Sequence, residues 1–401
     1  MKAIFSPSEI RGAIAAPPNK SLTHRYLICA ALAEGKSTIR NILLSDDTNS
    51  TLGAITELGA NVEVQGKTAY ITGTGGIISR KDRVIDCNES GSTLRLLLPA
   101  FLLCGGKTTF CCSKRLIQRV DESIEWIFNR DIEIGANEFS IIVKGMLKDG
   151  AYEIRSFSSQ FISGLMMALA LKEDTSAIHY TNFPAKQYIT MTDVAMHTFG
   201  VTTRRLNERM ILVGGPSDIF GRYKAREYTI NECDWSNAAM LIALGAQVTN
   251  FIDTHLIADA GVQNYLDELK NTTMPTIDVT ECPDLAPTLF AYAAANNGGI
   301  FKGCKKLEYK ESDRRMAMKK ELEKFGSTVA VMGDGDILAI GPANSEPNEE
   351  IDSHNDHRIA MAMSILAVKY GGVIRGAECI NKSYPNFFND IKDLNAKVLL
   401  E

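Results

Sequence analysis

At 401 residues the chain is too long for one ordinary hydrophobic core, and two domains are expected. Its 45% hydrophobic and 23% charged residues are the proportions of a soluble globular protein, which argues against a disordered or fibrous chain. The net charge of -5 argues against general nucleic-acid binding, although it leaves room for a local basic cleft.

The N-terminal run Met1-Lys2-Ala3-Ile4-Phe5-Ser6-Pro7 lacks the apolar core of a signal peptide. The longest apolar stretch, Leu94 to Cys104, contains Arg95 and Pro99 and is too short to span a bilayer. There are nine cysteines, an odd number with no Cys-x-x-Cys pair, which predicts free thiols in a reducing cytoplasm.

Taken in order, the chain repeats itself. Apolar helix tails end in Gly or polar residues and run into β-prone segments at Ala31-Leu32-Ala33-Glu34-Gly35, Leu102-Leu103-Cys104-Gly105-Gly106 and Leu169-Ala170-Leu171-Lys172-Glu173. Leu244-Gly245-Ala246, Asn297-Gly298-Gly299 and Tyr370-Gly371-Gly372 continue the series. Helices that close at Gly59, Gly200 and Gly326 lead into hairpins, such as Val329–Val331 turning at Gly333-Asp334-Gly335-Asp336 into Ile337–Ile340. The unit reads β-α-β-α-β-β, about six times, with the fourth copy poorly marked around Asn271 to Val279. The last copy lacks one hairpin strand, which the segment Lys2 to Ile14 is expected to supply. Residues 1–18 and 232–401 then form one discontinuous domain of three repeats, and 19–231 an inserted domain of three more. The stiff pair Pro17-Pro18 suits a hinge.

Polar clusters stand at the expected helix starts. Asn19-Lys20-Ser21-Leu22-Thr23-His24-Arg25 opens one helix, and Glu89-Ser90-Gly91-Ser92-Thr93 opens another with a glycine that permits close backbone approach. Ser113-Lys114-Arg115, Ser158-Ser159-Gln160, Lys186-Gln187-Tyr188, Asp284, His357-Arg358 and Lys382 follow. In Tyr309-Lys310-Glu311-Ser312-Asp313-Arg314, Ser312 or Asp313 is the expected N-cap, and the four-residue spacing puts Lys310 and Arg314 on one side. The helix stripe Met318, Leu322 and Phe325 follows, and Gly326 ends it. Basic residues at helix starts in both halves favour a cleft that binds several anionic groups.

Lys310-Glu311-Ser312-Asp313-Arg314, Asn355-Asp356-His357-Arg358 and Ser158-Ser159-Gln160 together resemble the enolpyruvyl transferase family, in its shikimate 3-phosphate branch, over Pro18 to Lys382. The resemblance implies an α/β (α+β) fold: a two-domain inside-out α/β barrel with six β-α-β-α-β-β repeats, three per domain, and an active site in the cleft. It implies phosphoenolpyruvate held by Lys20, Gly91, Arg115, Gln160, Arg314, Arg358 and Lys382. Shikimate 3-phosphate is expected on Lys20, Ser21, Arg25, Ser158, Ser159, Gln160, Tyr188, Asp284 and Lys310. Asp284 is expected to orient and deprotonate the attacking hydroxyl, Glu311 to protonate the methylene, and Lys20 to assist. Neither metal nor other cofactor is expected. A cytoplasmic monomer acting on these two small molecules, without nucleic acid or membrane, completes the expectation. Asn19, Leu116, Ala185 and Lys306 depart from the family's usual Ser, Pro, Ser and Asn.

Two competing readings exist. The sister branch acts on UDP-N-acetylglucosamine and often uses a loop cysteine, for which Cys111 and Cys112 just before Arg115 are candidates; two thiols on a buried strand are the plainer explanation. A non-catalytic anion-binding relative is the other, and the retention of Lys20, Asp284 and Glu311 together argues against it. His354 and His357 flank Asn355-Asp356, but no further His or Cys recurs at ligand spacing. Gly73-Thr74-Gly75-Gly76 lacks the Lys-Ser/Thr and helix of a nucleotide loop.

Overall fold

The computed structural model describes residues 1–120, 124, 132–155, 158–181, 186–250 and 261–401. The chain divides into two compact units, one made of Met1–Pro17 with Glu232–Glu401, the other of Pro18–Asn231.

In the unit Pro18–Asn231, three four-stranded sheets share one plan. A parallel pair comes first, and a hairpin returns antiparallel beside it. In the second sheet Arg83–Asn88 pairs in parallel with Lys107–Cys112, which pairs antiparallel with Ser140–Lys144, whose other neighbour is Glu133–Ala136. A parallel pair needs a crossover, and the helix Gly91–Phe101 supplies it. The third sheet repeats this with Ala151–Arg155, Ser176–Thr181, Met210–Val213 and Arg204–Asn207. The first sheet borrows its opening strand: Glu227–Thr229, at the far end of the unit, runs parallel to Lys36–Arg40.

The helices Lys20–Leu32, Gly91–Phe101 and Ser159–Leu169 are buried nearly all round, so they make the core and the sheets lie outside them. This is the sense in which the barrel is inside-out. Gly164 lets two of these helices touch, because a Cβ there would stand 2.5 Å from the carbonyl oxygen of Arg95.

The other unit follows the same plan. Its buried helices are Trp235–Ala243, Ala286–Ala295 and His357–Tyr370. One sheet is Thr276–Asp278, Gly299–Lys302, Ile337–Ile340 and Val329–Met332. The strand Thr276–Asp278 lies in the stretch where the sequence marks the fourth copy poorly. In the last sheet Lys2–Ser6 sits between Gly372–Arg375 and Lys397–Leu400, antiparallel to both, and fills the position that the final repeat lacks. The N-terminal segment does more than expected, since Ala13–Ile14 also pairs in parallel with Gln247–Val248 in a separate two-stranded sheet.

All nine cysteines are free thiols, seven of them buried. Among the described residues no helix is long and apolar enough to cross a membrane.

Candidate active site

In the unit carrying both termini, the chemistry gathers around Arg314. This arginine is 1% exposed and donates from four of its five N–H groups to three carboxylates. Nη1 reaches Asp284 Oδ1 at 2.8 Å, and Nη2 reaches Glu311 Oε2 at 2.6 Å. Asp356 takes Nε at 2.9 Å and Nη2 at 3.3 Å. Burying a cation is costly without such compensation. These partners raise the Arg314 guanidinium above its ordinary value against the pull of burial.

Lys310 Nζ donates to the same Asp284 oxygen at 3.1 Å. Burial by itself would raise the Asp284 carboxyl, but Lys310, Arg314 and Arg358 overcome it and hold Asp284 well below the usual carboxylate range. Asp284 is therefore an ionised hydrogen-bond acceptor at neutral pH.

Local structure explains the placement. Asp313 caps the helix Arg314–Glu323, accepting from the backbone N–H groups of Arg315 and Met316. Lys310 ends the preceding 3-10 helix Cys304–Tyr309 as its C-cap, so it does not share a helix face with Arg314 as the four-residue spacing predicts. The two cations meet through Asp284 instead. Ser312 is not the cap; its Oγ donates to Asp356 Oδ2 at 3.0 Å. Asp356 in turn caps the helix His357–Tyr370 by accepting from Arg358 N at 2.9 Å. Arg358 is buried and reaches Asn237 Oδ1 at 3.4 Å. Lys382, also buried, donates to the carbonyl of Asn355. Lys306 is half-buried, and burial lowers its ammonium while Glu281 opposes.

In the unit Pro18–Asn231 the expected residues lie at helix starts. Asn19 caps the helix Lys20–Leu32 by accepting from Leu22 N at 2.8 Å, so the Ser-to-Asn departure keeps a competent cap. Lys20 pairs with Asp47 in the first turn of the helix Asp46–Leu58. Arg25 is buried among neutral acceptors: Thr192 Oγ1 at 2.7 Å, the Ser21 carbonyl at 2.8 Å and the Tyr188 carbonyl at 3.1 Å. Burial pulls its guanidinium down to about 10, still a cation at neutral pH.

Ser90 caps the helix that begins at Gly91, and Ser158 caps the one that begins at Ser159. The side chain of Gln160 bridges these two helices, accepting from Arg95 Nη1 at 3.2 Å and donating to Ser92 Oγ at 2.9 Å. Arg95 also donates to the Arg119 carbonyl at 2.7 Å. A Cβ on Gly91 would meet Arg95 Nη1 at 2.6 Å, so Gly91 faces a guanidinium rather than open space. Ser113 caps the short helix Lys114–Gln118 that carries Arg115, and Leu116, in place of the family's Pro, supplies the N–H it accepts. Ala185 lies outside the described residues.

The roles of three contributors are not read from the sequence: Asp47 beside Lys20, Asp356 beside Arg314 although it lies in a recognised motif, and Arg95 beside Gly91 and Gln160. The first two carry a signal, an acidic residue at or just inside a helix N-terminus. Among the described residues no three His, Cys, Asp or Glu side chains group as a metal site, and His354 is engaged by Glu321.

The family model for EPSP synthase (3-phosphoshikimate 1-carboxyvinyltransferase) matches residues 4–391. A 3-phosphoshikimate 1-carboxyvinyltransferase of Clostridium perfringens is 35% identical, with 98% of each chain covered. One from Clostridioides difficile is 32% identical, over 98% of this chain and 97% of that one. In solved structures, the EPSP synthase of Acinetobacter baumannii superposes with a TM-score of 0.75 at 21% identity, covering 100% of this chain and 99% of that one. The enolpyruvyl transferase NikO from Streptomyces tendae gives 0.72 at 15% identity, over 99% and 98%. The match of the family model to nearly the whole chain, together with relatives above 30% identity along their full length, places this chain in the EPSP synthase (3-phosphoshikimate 1-carboxyvinyltransferase) family.

Proposed function

We infer that the chain performs its family's reaction, moving the carboxyvinyl group of phosphoenolpyruvate to the 5-hydroxyl of shikimate 3-phosphate and releasing phosphate. The observation that carries this is the buried Arg314 held by Asp284, Glu311 and Asp356, with Lys310 on the same Asp284 oxygen. Such an arrangement sets an ionised acceptor, a second carboxyl group and fixed cations side by side.

The hydroxyl attacks the enol carbon as the methylene gains a proton and becomes a methyl group; the tetrahedral intermediate then expels phosphate as that methyl group gives up a proton, which restores the double bond of the carboxyvinyl group. Asp284 accepts the hydroxyl's hydrogen bond and orients it. Its depressed basicity suits orientation first, and the hydroxyl proton passes to the Asp284 carboxylate only as the new C–O bond forms and acidifies it. Glu311 delivers the proton to the methylene, and Lys20 assists. Lys20, Gly91, Arg115, Gln160, Arg314, Arg358 and Lys382 hold phosphoenolpyruvate, while Ser21, Arg25, Ser158, Ser159, Tyr188, Asp284 and Lys310, with Lys20 and Gln160, hold shikimate 3-phosphate. Both sets act on one pair of substrates. Arg314 has one N–H left for an anion, so it acts first as the brace of the carboxylates. Among the described residues the buried Arg25 has neutral acceptors, which suits it to a substrate carboxylate or phosphate. We place the enzyme in the cytoplasm, acting as a monomer; its free thiols fit a reducing compartment.

Phosphate release from shikimate 3-phosphate plus phosphoenolpyruvate tests this reading, with UDP-N-acetylglucosamine plus phosphoenolpyruvate as the comparison. Release only with the second pair would assign the sister reaction.

A further inference from the structure

The loop Ser353–Asp356 serves two of the site's cations at once. The Asn355 carbonyl accepts from Lys382, and the next residue, Asp356, accepts from Arg314. This loop holds an unfavourable backbone: His354 and Asn355 both have φ of 52°. Left-handed geometry at two successive non-glycine residues persists only where the surroundings over-determine it.

The constraint comes from contacts of His354 that involve neither of these cations. His354 Nε2 lies 2.8 Å from Glu321 Oε1. Glu321 is fully buried, and its other oxygen accepts from Asp352 N at 2.9 Å and pairs with Lys324 at 2.7 Å. Burial would raise the Glu321 carboxyl, but His354, Lys324 and the Asp352 amide bring it below its ordinary value. An ionised carboxylate only accepts, so the proton of this bond belongs to His354 Nε2. Lys324 is itself fixed by the Glu350 carbonyl at 2.7 Å. His354 N donates to Asp352 Oδ1 at 2.8 Å, which pins the residue from its backbone as well.

We propose that His354 is a positioning residue: its hydrogen bond to the buried Glu321 holds the loop in its left-handed conformation and so sets the Asn355 carbonyl and Asp356 where Lys382 and Arg314 need them. His354 itself touches no substrate. The expected effect falls on phosphoenolpyruvate and rests on the assignment of Lys382 and Arg314 to that substrate above.

The test compares His354→Phe, which removes the donor, with His354→Gln, whose amide nitrogen can stand where Nε2 stands. His354→Phe should raise the KM for phosphoenolpyruvate about tenfold, since displacing a binding group by around 1 Å is felt strongly. The KM for shikimate 3-phosphate should stay within about twofold, and His354→Gln should recover most of the loss. Unchanged KM values in His354→Phe, equal rises for both substrates, or a His354→Gln as impaired as His354→Phe would overturn the inference. If melting curves show His354→Phe unfolded, His354→Gly, which fits the left-handed backbone, takes its place. A wild-type enzyme inactive on this substrate pair would refute the function and not the tether. The tether is read separately from the imidazole 15N spectrum, where Nε2 of His354 should carry a proton; an Nε2 without one would overturn it.

Discussion

Gly91 shows how a single position depends on its neighbour. The sequence marks it as a close-approach glycine, and the structure names what approaches: the Arg95 guanidinium, itself tied to Gln160 and the Arg119 carbonyl. A Gly91→Ala methyl must displace that group, and overpacking of this kind costs about 1–3 kcal/mol. Because Arg95 and Gln160 move together, the KM for phosphoenolpyruvate should rise roughly tenfold to a hundredfold at about 1.4 kcal/mol per tenfold. Shikimate 3-phosphate, which shares only Gln160 with this cluster, should weaken much less, and the melting temperature should fall only modestly because the displaced atom is the end of a flexible side chain; equal weakening of both substrates with a strongly lowered melting temperature would assign Gly91 to helix geometry alone. Glu311→Gln tests the proton donor. Glutamine keeps an oxygen for Arg314 Nη2, so binding should survive while turnover drops about a hundredfold to ten-thousandfold. Turnover within about threefold of wild type would remove Glu311 from the chemistry. At this scale the sequence yields the motif residues through their resemblance to the family, but not their partners. Asp284 and Arg314 are 30 positions apart, and no local pattern encodes that they meet.

Helix starts were the most legible elements, because capping is local chemistry. Asn19, Ser90, Ser113, Ser158, Asp313 and Asp356 each accept from a backbone N–H two or three residues on. The misread spacing of Lys310 and Arg314 has the same origin: Asp313 starts the helix too late for Lys310 to share its face. Asp356 joins two roles, cap and counter-ion, and Asp356→Asn separates them. The amide oxygen can still cap, but the buried Arg314 loses a charge, so a stability loss of about 3–5 kcal/mol is expected in denaturant unfolding. A loss under about 1 kcal/mol would mean the cap alone matters. Three helices of the other unit meet through a hydroxyl chain: His24 Nδ1 lies 2.7 Å from Thr51 Oγ1, which lies 2.7 Å from Thr93 Oγ1, with Ser90 Oγ a further 2.7 Å away. Burial, then Lys20 and Arg25, push the His24 imidazole well below its ordinary 6.5. The folded state therefore holds His24 neutral while the unfolded chain takes up a proton. Its contribution is complete above about pH 6.5 and is lost as pH falls towards the lower folded value, with a slope of at most about 1.4 kcal/mol per pH unit. His24→Asn should flatten the stability profile between about pH 6.5 and 5; an unaltered profile would show that His24 does not carry it.

Across the whole molecule, the repeat count was legible because hairpin turns and helix ends recur in the chain, and the strand missing from the last copy pointed to the N-terminal segment; the strand that closes the first sheet was not legible, because its partner is remote. Glu227–Thr229 joins Lys36–Arg40 across the full length of its unit, and Lys2–Ser6 joins strands at the opposite end of the chain. The N-terminal segment was expected to fill one gap, and it fills two. This connectivity makes the two units unequal as fragments. Residues 18–231 contain every strand of their three sheets, including the borrowed one, so the fragment should fold alone and melt cooperatively. Residues 232–401 lack Lys2–Ser6, the strand that pairs with both Gly372–Arg375 and Lys397–Leu400, and lack Ala13–Ile14 beside Gln247–Val248. They also lose Phe5, buried and edge-on to Phe388 at 6.1 Å, whose burial contributes about 1.5–3 kcal/mol. An unfilled slot in the middle of a sheet leaves two rows of backbone N–H and C=O groups without partners, which a marginally stable domain does not tolerate. The fragment 232–401 should therefore show no cooperative melting by circular dichroism. A rearranged chain in which residues 1–17 follow Glu401 through a flexible linker should restore it, since Lys2 N already lies 2.6 Å from the Glu401 carbonyl and the junction needs only a short loop. Cooperative folding of 232–401 alone would show that the N-terminal strand is dispensable, and failure of the rearranged chain would show that it must be supplied from its own end.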